Sequence, residues 1–187
     1  MDISTALSLD LKNLLRVLDL PDLDIERSLR ALRYDLAVVV PSFVGLSMTV
    51  VVDGQPVTLN SMGDEALTTP IGSSLRLPLS LTSGLAVGSQ LVLYALTPGA
   101  FVDLAADLAY ATDAGEGEVV LDAHLDPVSR RSGLLGVEEL AIINRAVGVL
   151  MGRGLSPDAA RGHLHRKADD AEMQVFQVAA ILLAMSE

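Results

Sequence analysis

Few side chains in this sequence could do chemistry, and most of those are cations in the last third of the chain: Arg145, Arg153 and the run His165-Arg166-Lys167. Guanidinium and ammonium groups at such spacing can neutralise anions such as phosphates. The plainer alternative is a solvated helix face, since cations that end a helix also suit the negative end of its dipole. His163 and His165 are two apart, which points them to different sides of a helix and suits solvated or phosphate-facing roles better than a metal pair. His124 has no acid or second histidine near it in sequence. Asp169-Asp170 reads as a turn capping a helix that follows it. No Gly-x-Ser-x-Gly elbow, phosphate-binding glycine loop or zinc signature occurs. The absence of cysteine excludes disulfides and thiolate metal sites. We therefore expect no enzyme, no metal and no cofactor.

Three amphipathic helices must carry those cations: Val137 to Met151, Pro157 to Ala168, and Glu172 to Met185. Gly152-Arg153-Gly154 closes the first. Ser156-Pro157-Asp158 opens the second, with a capping hydroxyl and a proline where no donor is missed. Val175, Val178, Ala179, Leu182 and Leu183 draw one apolar stripe along the third. Each helix is too short to be stable alone in water, so the three must share a core.

Upstream, Leu7, Leu11, Leu14, Leu15 and Leu18 make a helical stripe ending at Pro21. A second helix is expected from Asp24, with Ile25, Leu29, Leu32 and Leu36 in register until Pro41 stops it. These apolar stripes need a partner surface, either the sheet that follows or the same helices of a second chain. Val44 to Val52 and Gln55 to Asn60, joined by Asp53-Gly54, carry the strongest short-range hairpin signal there is. Leu75 to Leu81 and Ala86 to Leu96 read as further strands through Thr82-Ser83-Gly84. A helix is expected from Phe101 to about Thr112, and Val119 to Leu121 as a short edge strand. Helices, then strands, then a helix make the class α+β with an antiparallel sheet.

A chain of 187 residues accommodates two domains. The charged, glycine-containing segment around Gly115 to Glu118 marks the junction, giving domains 1–124 and 125–187. The net charge of −11 is uneven: Met1 to His124 holds 6 Lys and Arg against 16 Asp and Glu, and Leu125 to Glu187 holds 7 against 8. The acidity thus belongs to the first domain, and the near-neutral second would have to gather its cations on one side to meet a polyanion. The longest apolar run, Leu36 to Val52, is broken by Pro41, Ser42 and Gly45 and falls short of a membrane span of ~18 residues. The acidic start, Met1-Asp2-Ile3-Ser4, does not resemble a secretion signal, and a cytoplasmic location is expected.

Ile143-Asn144-Arg145-Ala146-Val147-Gly148-Val149-Leu150-Met151, Ser156-Pro157-Asp158-Ala159-Ala160, Leu164-His165-Arg166-Lys167-Ala168 and Val178-Ala179 together resemble the ANTAR domain. That family is a three-helix RNA-binding module of bacterial transcription antitermination regulators. The resemblance covers the last third of the chain. Departures occur at Val147, where the family usually has lysine, at Arg161, where it usually has an aromatic residue, and at Glu172-Met173-Gln174, where it usually has asparagine and basic residues. The N-terminal half looks like a GAF domain through Gly45-Leu46-Ser47-Met48-Thr49-Val50, Leu75-Arg76-Leu77-Pro78-Leu79 and Gly88-Ser89-Gln90-Leu91-Val92-Leu93-Tyr94. Only Ser61 to Ser74 stands where ligand-holding GAF domains insert a long helical wall, so no cofactor is expected there.

The resemblance implies that Arg145, Arg153, His165, Arg166 and Lys167 bind RNA stem-loops in nascent transcripts under control of the GAF-like half. A homodimer is expected, because the leucine stripes and the nearly all-round apolar helix of Val137, Leu140, Ile142, Ile143, Val147, Val149 and Leu150 exceed what one small core needs. The alternative is a dimeric protein-interaction module that keeps the helical fold without RNA affinity.

Overall fold

A computed structural model describes residues 25–79, 86–112, 119–127 and 129–186. The leucine stripe from Leu7 to Leu18, the Thr82-Ser83-Gly84 link and the Gly115 to Glu118 junction lie outside the described residues. The class is α+β, with a six-stranded antiparallel sheet and helices before and after it.

Helix α1 (Ile25–Val39) stops just ahead of Pro41, as the proline demands. Strands β1 (Phe43–Val52) and β2 (Gln55–Met62) follow, joined by Asp53 and Gly54 at φ of 50° and 78°. Two successive left-handed residues make the turn whose twist matches the strands. A short helix α2 (Glu65–Thr68), unforeseen in the sequence, precedes β3 (Ser73–Pro78) and β4 (Gln90–Ala95). Then come α3 (Val102–Thr112), the edge strand β5 (Val120–Leu121) and β6 (Gly133–Leu135), which the sequence did not announce. The strand order is β5-β3-β4-β1-β2-β6.

Strand register explains the core. Leu46, Leu93 and Leu75 stand side by side across β1, β4 and β3, and so do Met48, Leu91 and Leu77. These two rows are buried with Leu32 and Leu36 of α1 and Phe101, Leu104 and Leu108 of α3. The alternate residues face the other way. There, Ser47 Oγ donates to Asn60 Oδ1 at 2.6 Å and the Thr49 and Thr58 hydroxyls meet at 2.9 Å. A smaller apolar cluster of Val44, Met62, Ala66, Ile71, Val92 and Tyr94 shares this side. Gly45 is obligatory here, because an added Cβ would lie 2.7 Å from the Ser61 carbonyl oxygen.

The C-terminal helices are α4 (Val137–Gly152), α5 (Pro157–Ala171) and α6 (Val175–Ala184). Their shared core is Ile143, Ala146, Val147, Leu150, Ala160, Leu164, Ala168, Val175 and Ala179. Four of those nine are alanines, which lets the helix axes approach closely. Ser156 accepts from the Ala159 amide at 3.3 Å, as its capping role requires.

One expectation is corrected. Asp169 and Asp170 do not cap the third helix, since α5 runs through them to Ala171. It ends at Glu172 in the left-handed region, φ 51°, with the Met173 amide bonded back to the Ala168 carbonyl at 3.0 Å. The cap of α6 is Gln174, whose amide donates to Gln177 Oε1 at 3.0 Å in a reciprocal capping box.

By contacts the chain divides into two units: one of Met1–Val50 with Thr58–Gly133, the other of Val51–Val57 with Leu134–Glu187. The sequence reading put the junction after His124. The contact boundary falls at Gly133, and the tip of the first hairpin is counted with the helices.

Candidate nucleic-acid interface

Helix geometry decides which cations can act together, because residues three or four apart share a side and adjacent ones do not. The run His165-Arg166-Lys167 is therefore split. His165 turns, with Arg161 one turn earlier, to the hairpin tip that belongs to the same unit. Its Nε2 lies 3.2 Å from the Asp53 carbonyl oxygen, while Arg161 Nε donates to Asp53 Oδ2 at 3.0 Å. A Cβ added to Gly54 would come 2.8 Å from His165 Cε1, so the turn and the imidazole are in close register. The expectation that His165 stands with Arg166 and Lys167 against an anion is not what the geometry provides. Its ring is engaged by backbone.

His163 and Lys167, four residues apart, share another side of α5 and line one cleft, with Arg166 about 100° round from Lys167. Arg166 and Lys167 are exposed and form no ion pair among the described residues. Arg153 joins them from the C-terminal end of α4. Its Nη2 donates to Ser186 Oγ at 2.8 Å, and Ser186 Oγ donates in turn to the Leu182 carbonyl at 2.7 Å. Arg153, His163 and Lys167 line a cleft of about 400 Å³ whose remaining walls are Leu164 of α5 and Val178, Ile181, Leu182 and Met185 of and just after α6.

Arg145 stands apart. It is exposed on the side of α4 that carries Ala141 and Gly148, and its Nε donates to the Ala141 carbonyl at 3.4 Å. Of the five expected residues, Arg153 and Lys167 meet at one cleft, Arg166 is exposed on the neighbouring side of α5, and Arg145 and His165 lie elsewhere. Two others, Arg161 and His163, were not among the expected RNA-binding residues. Arg161 drew notice only as a departure from an aromatic position, and the partner that explains it lies 108 residues upstream. The place of His163 beside Lys167 was available from their four-residue spacing.

Among the described residues no group of three or more His, Asp or Glu is placed to hold a metal ion, and no helix is long and apolar enough to cross a membrane. Burial raises the hydroxyl pKa of Tyr94, and its hydrogen bond with Ser47 works in the opposite direction.

Fold and side chains together define an α+β chain with an antiparallel sheet and a C-terminal helical unit bearing unpaired cations. No protein-family model, no curated protein and no solved structure matches the chain.

Proposed function

We propose that this chain is an RNA-binding regulator of transcription antitermination. Its helical unit, similar to an ANTAR domain, would meet the phosphates of stem-loops in nascent transcripts, and its GAF-like half would dimerise and control that contact. The observation that carries the reading is the pair Arg153 and Lys167, exposed, unpaired with carboxylates and lining one cleft of the helical unit, with Arg166 exposed and unpaired on the neighbouring side of α5; the three helices pack through Ala146, Leu150, Leu164, Ala168 and Ala179. Such cations draw a polyanion by releasing its counterions, which makes affinity fall with salt. The bacterial cytoplasm, where nascent transcripts are found, is the location that goes with this role.

The test is a titration with RNA carrying tandem hairpins at two salt concentrations, using the full chain and the Arg166→Ala, Lys167→Ala double variant. The variant should bind about tenfold more weakly at low salt, and its logarithmic salt slope should be smaller by ~0.7 per lost contact. Identical affinity and slope for the two proteins would remove Arg166 and Lys167 from the contact.

A second reading is a dimeric protein-interaction module that keeps the same helical fold. The near balance of 7 cations against 8 acids from Leu125 to Glu187 favours it. Absent or salt-independent RNA binding by the unaltered chain selects this reading.

A further inference from the structure

We infer that the cleft lined by Arg153, His163 and Lys167 is a binding site for a small aliphatic anion, a single-chain carboxylate in chemical class. This inference does not depend on the RNA reading, although the two share Arg153 and Lys167.

Size comes first. A space of about 400 Å³ lies within the ~300–1,000 Å³ typical of small-molecule sites. Its walls are aliphatic, and Ile181 and Met185 leave 50% and 82% of their surface in water. An alkyl chain lying against them would remove that surface from solvent, which is favourable in proportion to the area covered.

The polar lining supplies the charge. Arg153 is tied to Ser186 through one nitrogen, Nη2, which orients a guanidinium that still has donors to offer. Lys167 forms no ion pair among the described residues; Asp170, three residues further along α5, leaves it unpaired. A fork of donors and an ammonium beside an apolar slot match a carboxylate head on an alkyl tail.

The same lining argues against a nucleobase as occupant. No Phe, Tyr or Trp faces the cleft, and the acceptors among its side chains are the imidazole of His163 and the weakly accepting thioether of Met185. Reading a base edge needs acceptors as well as donors, and this lining supplies mostly donors and aliphatic surface. A membrane surface is also a poorer fit, because a recess takes one chain whereas a bilayer presents a plane of head groups.

The experiment uses the ¹⁵N-labelled full chain titrated with sodium decanoate below its micelle-forming concentration, with decanol, butyrate and anionic phospholipid vesicles as comparison arms. Decanoate should saturate at one per chain and shift amides of Leu164, Ile181, Leu182 and Met185. Butyrate and decanol should each bind about tenfold or more weakly, the first for want of chain and the second for want of charge. Arg153→Ala and Lys167→Ala should each weaken decanoate severalfold with the rest of the spectrum unchanged, because both residues are exposed. Ile181→Ala, which removes apolar wall and adds no charge, should weaken decanoate severalfold while leaving butyrate unchanged. Equal affinity for decanol and decanoate, indifference to all three substitutions, or a response to vesicles alone would overturn the assignment.

Discussion

Asp53 meets α5 twice, through its carboxylate to Arg161 and through its carbonyl to His165. The Asp53–Arg161 pair is about one-third exposed on both sides, and such pairs contribute no more than ~1 kcal/mol. The turn itself is the stronger constraint, because an L side chain at the left-handed Gly54 costs ~1–2 kcal/mol and here would also press on His165. Gly54→Ala should therefore lower the melting temperature more than Arg161→Ala does, and thermal denaturation of the two variants reads the order directly. Tyr94 offers a second measurement. Burial lifts its hydroxyl pKa above the ordinary ~10, so in the folded chain it keeps its proton after the unfolded chain has lost it. Stability is then fully present below about pH 10 and falls as pH rises from there through the raised folded value. Ultraviolet titration should show one of the three tyrosines ionising late, and Tyr94→Phe should remove that late step and flatten the alkaline loss of stability.

At the scale of elements, the helices and the first hairpin were legible because their signals are local. Asp53-Gly54 demanded a tight turn, and Ser156-Pro157 demanded a helix start. The end of α5 was misread for a related reason. Asp169-Asp170 looks like a cap, yet the helix continues past it and stops at Glu172, which accepts a left-handed conformation that only glycine adopts without strain. Glu172→Gly should relieve that strain and stabilise the helical unit by ~1 kcal/mol, seen as a raised melting temperature. A loss of stability instead would mean that the glutamate side chain contributes more than its backbone costs. Strand β6 and helix α2 were not legible, since three and four residues are too few to show a period.

For the whole molecule, the expectation of a dimer rests on apolar surface beyond what the cores use. On α4, Val137 and Met151 remain 42% and 44% exposed beside Gly148. Sedimentation at micromolar concentration should give a dimer mass, and Met151→Lys should shift it toward monomer if α4 takes part; a monomer for the unaltered chain would end the idea. The sequence alone determined the α+β class, the order of the longer elements and the acidity of the first half, because composition, period and turn chemistry are properties of neighbouring residues. It could not determine which cations act together. Consecutive residues on a helix radiate about 100° apart, so the run His165-Arg166-Lys167 is one patch in sequence and three directions in space. Which of those directions meets a hairpin turn, a cleft or open water depends on contacts as distant as that of His165 with Asp53, 112 residues apart, and only folding brings them together.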